Sequence, residues 1–432
     1  MESIWQETAK RPCFSALERD TKTDVLVIGG GMAGLLCAHR LQQEGVDCLL
    51  VEAGRICGGV TGSTTAKLTV QHGLIYDKLM KTFGADTARL YYEANRDALD
   101  RYRDLCRDLD CDWEEADNFV YARQDRDKLE RELAALQRIG APATLETELP
   151  LPFQTVGAVK LPGQAQFHPL KFAFSLAKSL NIREHTKVLE LAPHRAKTDR
   201  GEITAGTIIV ATHFPMLNKH GAFFLKLYQH RSYVLALRNA GGINGMYVDE
   251  SHTGLSFRPY GDLLLLGGGG HRTGKPGGGW TELRTFAKAH YPQAEEVAHW
   301  ATQDCMSLDG VPYIGPYSAA ARDLLVATGF NKWGMTSSMA AASILTDLVL
   351  GRNNPYAPVF SPSRSTLRPQ LAVNAAEALA GLLRPTAPRC PHMGCALHYN
   401  RAEHSWDCSC HGSRFTEHGR LLDNPASGDK PM

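Results

Sequence analysis

Thr23-Asp-Val-Leu-Val-Ile-Gly-Gly-Gly-Met-Ala-Gly34 is the stretch that decides the fold. Residues 23–28 are a short β-branched run, as in a buried strand. Gly29, Gly31 and Gly34 then place G-x-G-x-x-G at the opening of a helix predicted over Met32–Glu44. Gly45 stands where a helix-terminating glycine belongs, and Val46–Glu52 reads as a second strand. Together these make a βαβ unit within about 30 residues. In such a unit the first glycine permits the tight turn, the second lets the backbone approach a pyrophosphate, and the third lets helix and strand pack closely. The helix N-terminus presents N–H groups to the phosphates. Glu52 can accept hydrogen bonds from an adenosine ribose and would repel a 2′-phosphate, so FAD or NAD is expected rather than NADP.

The rest of the chain sets the context. Its 432 residues suggest two or three domains. Lysine plus arginine total 47 against 46 aspartate plus glutamate, a net charge of +1 that argues against nucleic acid or an anionic membrane as main partner. No apolar run approaches the ~18 residues of a membrane span, and the start Met1-Glu-Ser-Ile-Trp lacks a secretory pattern, so a cytoplasmic location is expected. Seven of the 11 cysteines are scattered over the first 305 residues. The other four fall between Cys390 and Cys410, which points to metal.

From Tyr76 to about Arg138 the chain reads as charged and helical, and a proline-rich stretch follows. Short strands are expected between Arg183 and Thr212, and an antiparallel sheet between Arg231 and Leu266. Gly267–Gly279 reads as a loop, with a lid as the sharper alternative. It opens no helix, so a second dinucleotide domain is not expected. Leu324–Thr328 is another strand, followed by a loop from Gly329 and a helix over Thr336–Leu350. Backbone N–H groups of this Gly329–Thr336 segment could meet the polar edge of a flavin, favouring FAD. A proline-marked linker with a helix over Gln370–Leu383 leads to the tail.

Strand, GxGxxG, helix, strand and Glu52, followed by Gly58-Gly-Val-Thr-Gly-Ser-Thr-Thr-Ala66, resemble the D-amino-acid oxidase/glycine oxidase family of FAD oxidoreductases. Asp309-Gly-Val-Pro-Tyr-Ile-Gly315 and Gly329–Thr336 are similar to that family's C-terminal flavin motifs. The resemblance implies an α/β architecture. A Rossmann-type FAD domain would comprise 1–75, 151–215 and 301–352, and an antiparallel-sheet substrate domain 76–150 and 216–300. A linker at 353–383 and a tail at 384–432 would complete the chain. At the first half of the cofactor it implies contacts from Gly29, Gly31, Gly34, Glu52, Ala53, Thr61, Thr64 and Thr65. Val188, Ala211, Thr212, Gly329, Gly334, Met335 and Thr336 complete the set.

In the tail, Cys390-Pro-His392 and Cys408-Ser-Cys-His411 offer two thiolates and two imidazoles from two loops. Zinc is the alternative, although C-x-H suits zinc knuckles poorly. The pattern, with Cys395 and Trp406–Phe415 around it, resembles a Rieske [2Fe–2S] centre. That resemblance implies Cys390 and Cys408 on one iron, His392 and His411 on the other, a Cys395–Cys410 disulfide clamping the loops, and Ser413 donating towards the cluster. Only a helix and a proline-rich lead precede the first ligand loop, so the tail resembles the cluster-binding subdomain alone, β-rich and in need of support.

Two carriers on one chain imply an FAD-dependent oxidoreductase that oxidises a small substrate, an amine or amino acid by family resemblance. Electrons would pass through the cluster to an outside acceptor, or in the reverse direction. The alternatives are a redox sensor or relay with no substrate of its own, and an FAD oxidase with a zinc tail. Lys67 is a candidate flavin contact. Arg258, Tyr260 and His271 are candidates for the substrate pocket, each more simply read as an ordinary sheet residue.

Overall fold

The computed structural model describes residues 2–216, 221–251, 253–318, 320–384 and 388–430. The opening βαβ unit forms the centre of its first sheet. Thr21–Ile28 pairs in parallel with Cys48–Val51 on one side and Glu202–Val210 on the other, and Ala321–Thr328 extends the sheet beyond Glu202–Val210. Val25 to Ile28 are all buried because both faces of the sheet are covered, Val25 and Val27 packing with helix residues such as Leu35 and Leu345 and Leu26 and Ile28 with Val188, Ala196 and Phe214, which leaves no polar side to alternate with. The helices Met32–Gln43 and Gly334–Val349 pack together beside this sheet. With Ile182–Arg183 pairing in parallel beyond Cys48–Val51, the parallel strands end at one edge, at Ile28, Val51, Arg183, Val210 and Thr328, where doubly wound sheets hold their ligands.

A second sheet runs in the order Glu295–Ser307, Leu227–Arg238, Leu263–Arg272, Ser256–Tyr260, Met246–Asp249, Glu114–Ala122, Gly157–Gln166, Lys67–Leu68. Three expectations are corrected here. The predominantly helical stretch 76–138 contains the strand Glu114–Ala122, whose charged start hid a buried second half. Gly157–Gln166, expected with the FAD-binding segments, pairs instead with Glu114–Ala122. Pro162 within it falls where the register shifts, a place where a strand tolerates proline. Finally, Gly267–Gly270 is strand and not loop. A Cβ on Gly267 would sit 2.6 Å from Ser256 Oγ, so the missing side chain is what lets the neighbouring strand close in.

A third, four-stranded antiparallel sheet forms the tail, from Leu397–Asn400, Ser405–Cys408, Arg414–Thr416 and Leu421–Asp423. Its own core is small, comprising Cys390, Cys395, Leu397, Cys408, Cys410, Phe415 and Ala426. The tail therefore leans on the second sheet. Glu403 is buried between the guanidinium groups of Arg231 and Arg414, and Arg231 Nε donates to it at 2.9 Å and Arg414 at 2.7 Å. Tyr233 Oη donates to the same carboxylate at 3.0 Å. Arg414 also reaches Asp407 and Asp423, both at 3.0 Å. Burial alone would raise the Glu403 carboxyl, but the two arginines hold it below the usual range. Among the described residues, no helix is long and apolar enough to cross a membrane.

Removing one member of a buried charge network leaves its partners desolvated and unpaired. Glu403→Ala should cost about 3–5 kcal/mol. In limited proteolysis it should release the tail before the rest of the chain is cut. An unchanged urea midpoint would show that the tail docks by other contacts.

Candidate cofactor sites

At the shared strand edge lies a cavity of about 1930 Å³. Gly29, Gly31, Glu52, Ala53, Thr61, Thr64 and Thr65 line it, together with Val188, Ala211, Thr212, Gly334 and Met335. The helix Met32–Gln43 begins at Gly31, and its first turn borders this space, with Met32 N donating to Thr61 Oγ1 at 3.0 Å. Gly31 has nothing nearer to a would-be Cβ than Thr61 Oγ1 at 3.5 Å, which leaves the backbone approachable. Glu52 accepts from the Gly30 N–H at 2.7 Å and the Gly54 N–H at 2.8 Å, fixing its carboxylate at the cavity wall.

The other three expected positions stand behind this wall. Gly34 lies against the turn, where a Cβ would fall 1.9 Å from Gly29 O. Gly329 is wedged beside Leu227, Ser307 and Tyr313. Thr336 is buried one step back, bonded to His72 Nε2 at 3.0 Å.

The sequence gives no spacing signal for His72, yet it organises the far end of the cavity. Its Nε2 faces Thr69 O at 3.0 Å, and a carbonyl can only accept, so the proton sits there and Nδ1 accepts from Tyr91 Oη at 2.6 Å. Burial pushes this imidazole down to about 3, so it stays neutral. Its ring stacks on Trp333 at 5.1 Å, just before the helix that Gly334 opens. Asn331 and Lys332, at φ +52° and +73°, turn the chain sharply there. The Asn331 side chain holds that turn, accepting from Ser307 N at 2.7 Å and donating to Gly329 O at 2.6 Å. Asp309 of the second flavin motif is locked by Arg364 at 2.7 and 2.8 Å.

Lys67 lines the cavity and donates to Thr65 Oγ1 at 3.1 Å. Burial first, then the nearby Arg258, push its ammonium down to about 7. The other three candidates serve the packing. Arg258 is fully buried and donates to Gln166 Oε1 and Phe167 O, both at 2.9 Å. Tyr260 donates to Asp112 at 2.6 Å, and His271 meets Tyr233 Oη at 2.9 Å.

In the tail, Cys390, Cys408 and His411 are buried, and the His392 ring meets that of His411 at 4.9 Å and 89°. The Cys390 thiol lies within hydrogen-bond reach of Cys408 and of the Ser413 hydroxyl. The thiols thus gather at one pole and the imidazoles at the other. Burial drives both imidazoles down to about 4, leaving neutral rings fit to ligate. His411 Nε2 donates to Phe224 O at 3.0 Å, and its buried Nδ1 has no hydrogen-bond partner, as suits a ligand nitrogen. Donor chemistry and geometry therefore fit an iron–sulfur cluster. The sulfurs of Cys395, Cys408 and Cys410 lie within 4.8 Å of one another. Cys395 and Cys410, the pair expected to clamp the loops, are free thiols side by side in this group. Backbone bonds also hold the loops, from Cys390 N to Cys395 O at 2.8 Å and from Gly412 N to Cys408 O at 2.9 Å.

A Rossmann edge with a glycine cradle, joined to a two-thiol, two-imidazole pocket, is the site of a flavin and iron–sulfur oxidoreductase. The chain belongs to the FAD dependent oxidoreductase family, whose model matches residues 24–348, and carries a Rieske [2Fe–2S] domain matched over 363–431; its cofactors are FAD and a [2Fe–2S] cluster. YhfW of Bacillus subtilis (strain 168), named as a Rieske 2Fe-2S iron-sulfur protein, is 34% identical across 98% of this chain and 96% of its own. The gamma-glutamylputrescine oxidoreductase of Escherichia coli (strain K12) is 28% identical over 46% of this chain and 50% of its own. In fold, the chain is similar to glycine oxidase from Geobacillus kaustophilus, with a TM-score of 0.68 at 21% identity, covering 80% of this chain and 99% of that one.

Gly34→Ala should abolish flavin binding, because the added methyl would overlap Gly29 O and push helix and turn apart. Flavin absorbance per chain, measured beside iron content, reads this. Full flavin occupancy in the variant would contradict the cradle described.

Proposed function

We propose that this chain oxidises a small amine or amino acid at FAD and delivers the electrons through its cluster to a one-electron acceptor. The observation that carries this reading is that His392, of the cluster pocket, lines the same cavity as Gly31, Glu52 and Trp333. Bound there, FAD supplies a two-electron acceptor and the [2Fe–2S] cluster a one-electron carrier. The amine class is supported by what the relatives are named for, gamma-glutamylputrescine in one case and glycine in the other.

In this reading the Gly31 helix terminus holds the pyrophosphate, Glu52 the ribose, and Val188 flanks the adenine. Ala211, Thr212, Gly334 and Met335 border the flavin. Cys390 and Cys408 hold one iron and His392 and His411 the other, and a Cys395–Cys410 disulfide would clamp their loops. Lys67, with its ammonium brought down to about 7, is placed to take a proton from a substrate amine.

Anaerobic addition of glycine, L-proline and putrescine-type amines should bleach the flavin with at least one of them, and the reduced-cluster electron paramagnetic resonance signal should follow. Flavin that never bleaches with any amine, together with a cluster signal that responds to a protein partner, would favour a relay without its own substrate.

Because Lys67 accepts only when neutral, the bleaching rate should rise with pH through about 7. Lys67→Met should remove that limb and slow bleaching by about 100-fold. A variant that keeps the wild-type pH profile would exclude Lys67. His411→Ala should retain flavin and lose the cluster signal, and a chain that kept its iron and sulfide would overturn the ligand assignment.

A further inference from the structure

On the imidazole pole of the tail His411 does not point to solvent, and the half-buried His392 lines the cofactor cavity. His411 is 4% exposed, and its Nε2 is tied to Phe224 O. Both cluster histidines meet one ring, that of Phe214, whose centroid lies 6.3 Å from His392 at 79° and 6.1 Å from His411 at 71°. Phe214 is fully buried and belongs to the core of the first sheet, packed with Leu26, Val51 and Val210. It follows directly on Thr212 and His213, both on the cavity wall.

This loop is held from both sides. Thr328 Oγ1 donates to His213 O at 2.5 Å, and His213 Nε2 meets Gln229 Oε1 at 3.0 Å. From the tail, Asn424 Nδ2 donates to Thr212 O at 3.0 Å and to Phe214 O at 3.2 Å. Gln229 in turn lies where a Cβ on Gly412 would fall, 2.1 Å from its Cγ, so the cluster loop presses onto the strand beneath.

Resting on the function proposed above, we infer that Phe214 is the positioning residue that couples the flavin site to the cluster, and that the histidine pole is an internal port rather than the docking face for the outside acceptor. Electron tunnelling falls off more steeply through a gap than through packed atoms. The Phe214 ring packs against both imidazoles behind the wall that His392 itself lines, and so fixes how far they stand from the flavin site. With both cofactors bound, one electron would leave the two-electron-reduced flavin site and one ferric iron would become ferrous. An outside one-electron oxidant, such as ferricenium, would restore that iron before the second electron followed, with the protons leaving to solvent.

The test uses the full chain loaded with both cofactors. Flavin is photoreduced anaerobically with EDTA as donor, and the cluster signal is followed by freeze-quench electron paramagnetic resonance. Phe214→Leu keeps apolar bulk and removes the ring. It should retain flavin, iron and the cluster potential, yet slow the appearance of reduced cluster roughly tenfold. Phe214→Tyr should restore the wild-type rate. A Phe214→Leu protein with full cofactors and an unchanged rate overturns the inference. If the leucine variant loses iron, Asn424→Ala, which frees the same loop, is measured instead, with slowing expected and an unchanged rate overturning it. A wild-type cluster that stays oxidised after the flavin is reduced would instead refute the function on which the inference rests.

Discussion

The architecture depends on one buried carboxylate. Glu403 reaches from the tail into the second sheet and is held there by Arg231 and Arg414. A subdomain with seven buried core residues, four of them cysteines, cannot pay the ordering entropy of its loops alone. Docking supplies what is missing, and it fixes where the cluster pocket sits. Because Glu403 and Arg414 anchor one side and the Asn424 amide the other, the histidine pole is turned towards the Rossmann edge. A buried network of this kind is specific before it is stabilising, since any other docking would leave its charges unpaired.

That placement gives the cavity its composite wall. The parallel strands end at a common edge because their crossovers demand it, and the glycine turn opens the edge to a phosphate. The tail then contributes its last segment. Pro391 and His392, and residues 421–429, face the same space as Gly31 and Glu52. The glycine cradle and the cysteine–histidine loops of the tail in this way border one cavity.

Much of this was legible in the sequence, for reasons that differ by residue. Gly29 and Gly34 could be read because a φ of +110° at one and a 1.9 Å approach to Gly29 O at the other admit no side chain, Gly31 by its spacing between them, and the Cys/His tail by its ligand spacing. The strand Glu114–Ala122 was not legible, since its first residues are charged and only pairing with Gly157–Gln166 buries the remainder. Gly267–Gly270 was misread because glycine signals a loop locally and close strand approach tertiarily. His72 and Phe214 carried no signal at all. Each matters through partners far away in the chain, Thr336 for one and His411 for the other.

The central claim is that two carriers share this polypeptide. An anaerobic dithionite titration of the purified protein tests it most directly, with flavin absorbance and cluster resonance followed together. The account predicts about three electrons per chain, two for the flavin and one for the cluster. Uptake of two electrons with no iron signal, or of one with no flavin change, would contradict it.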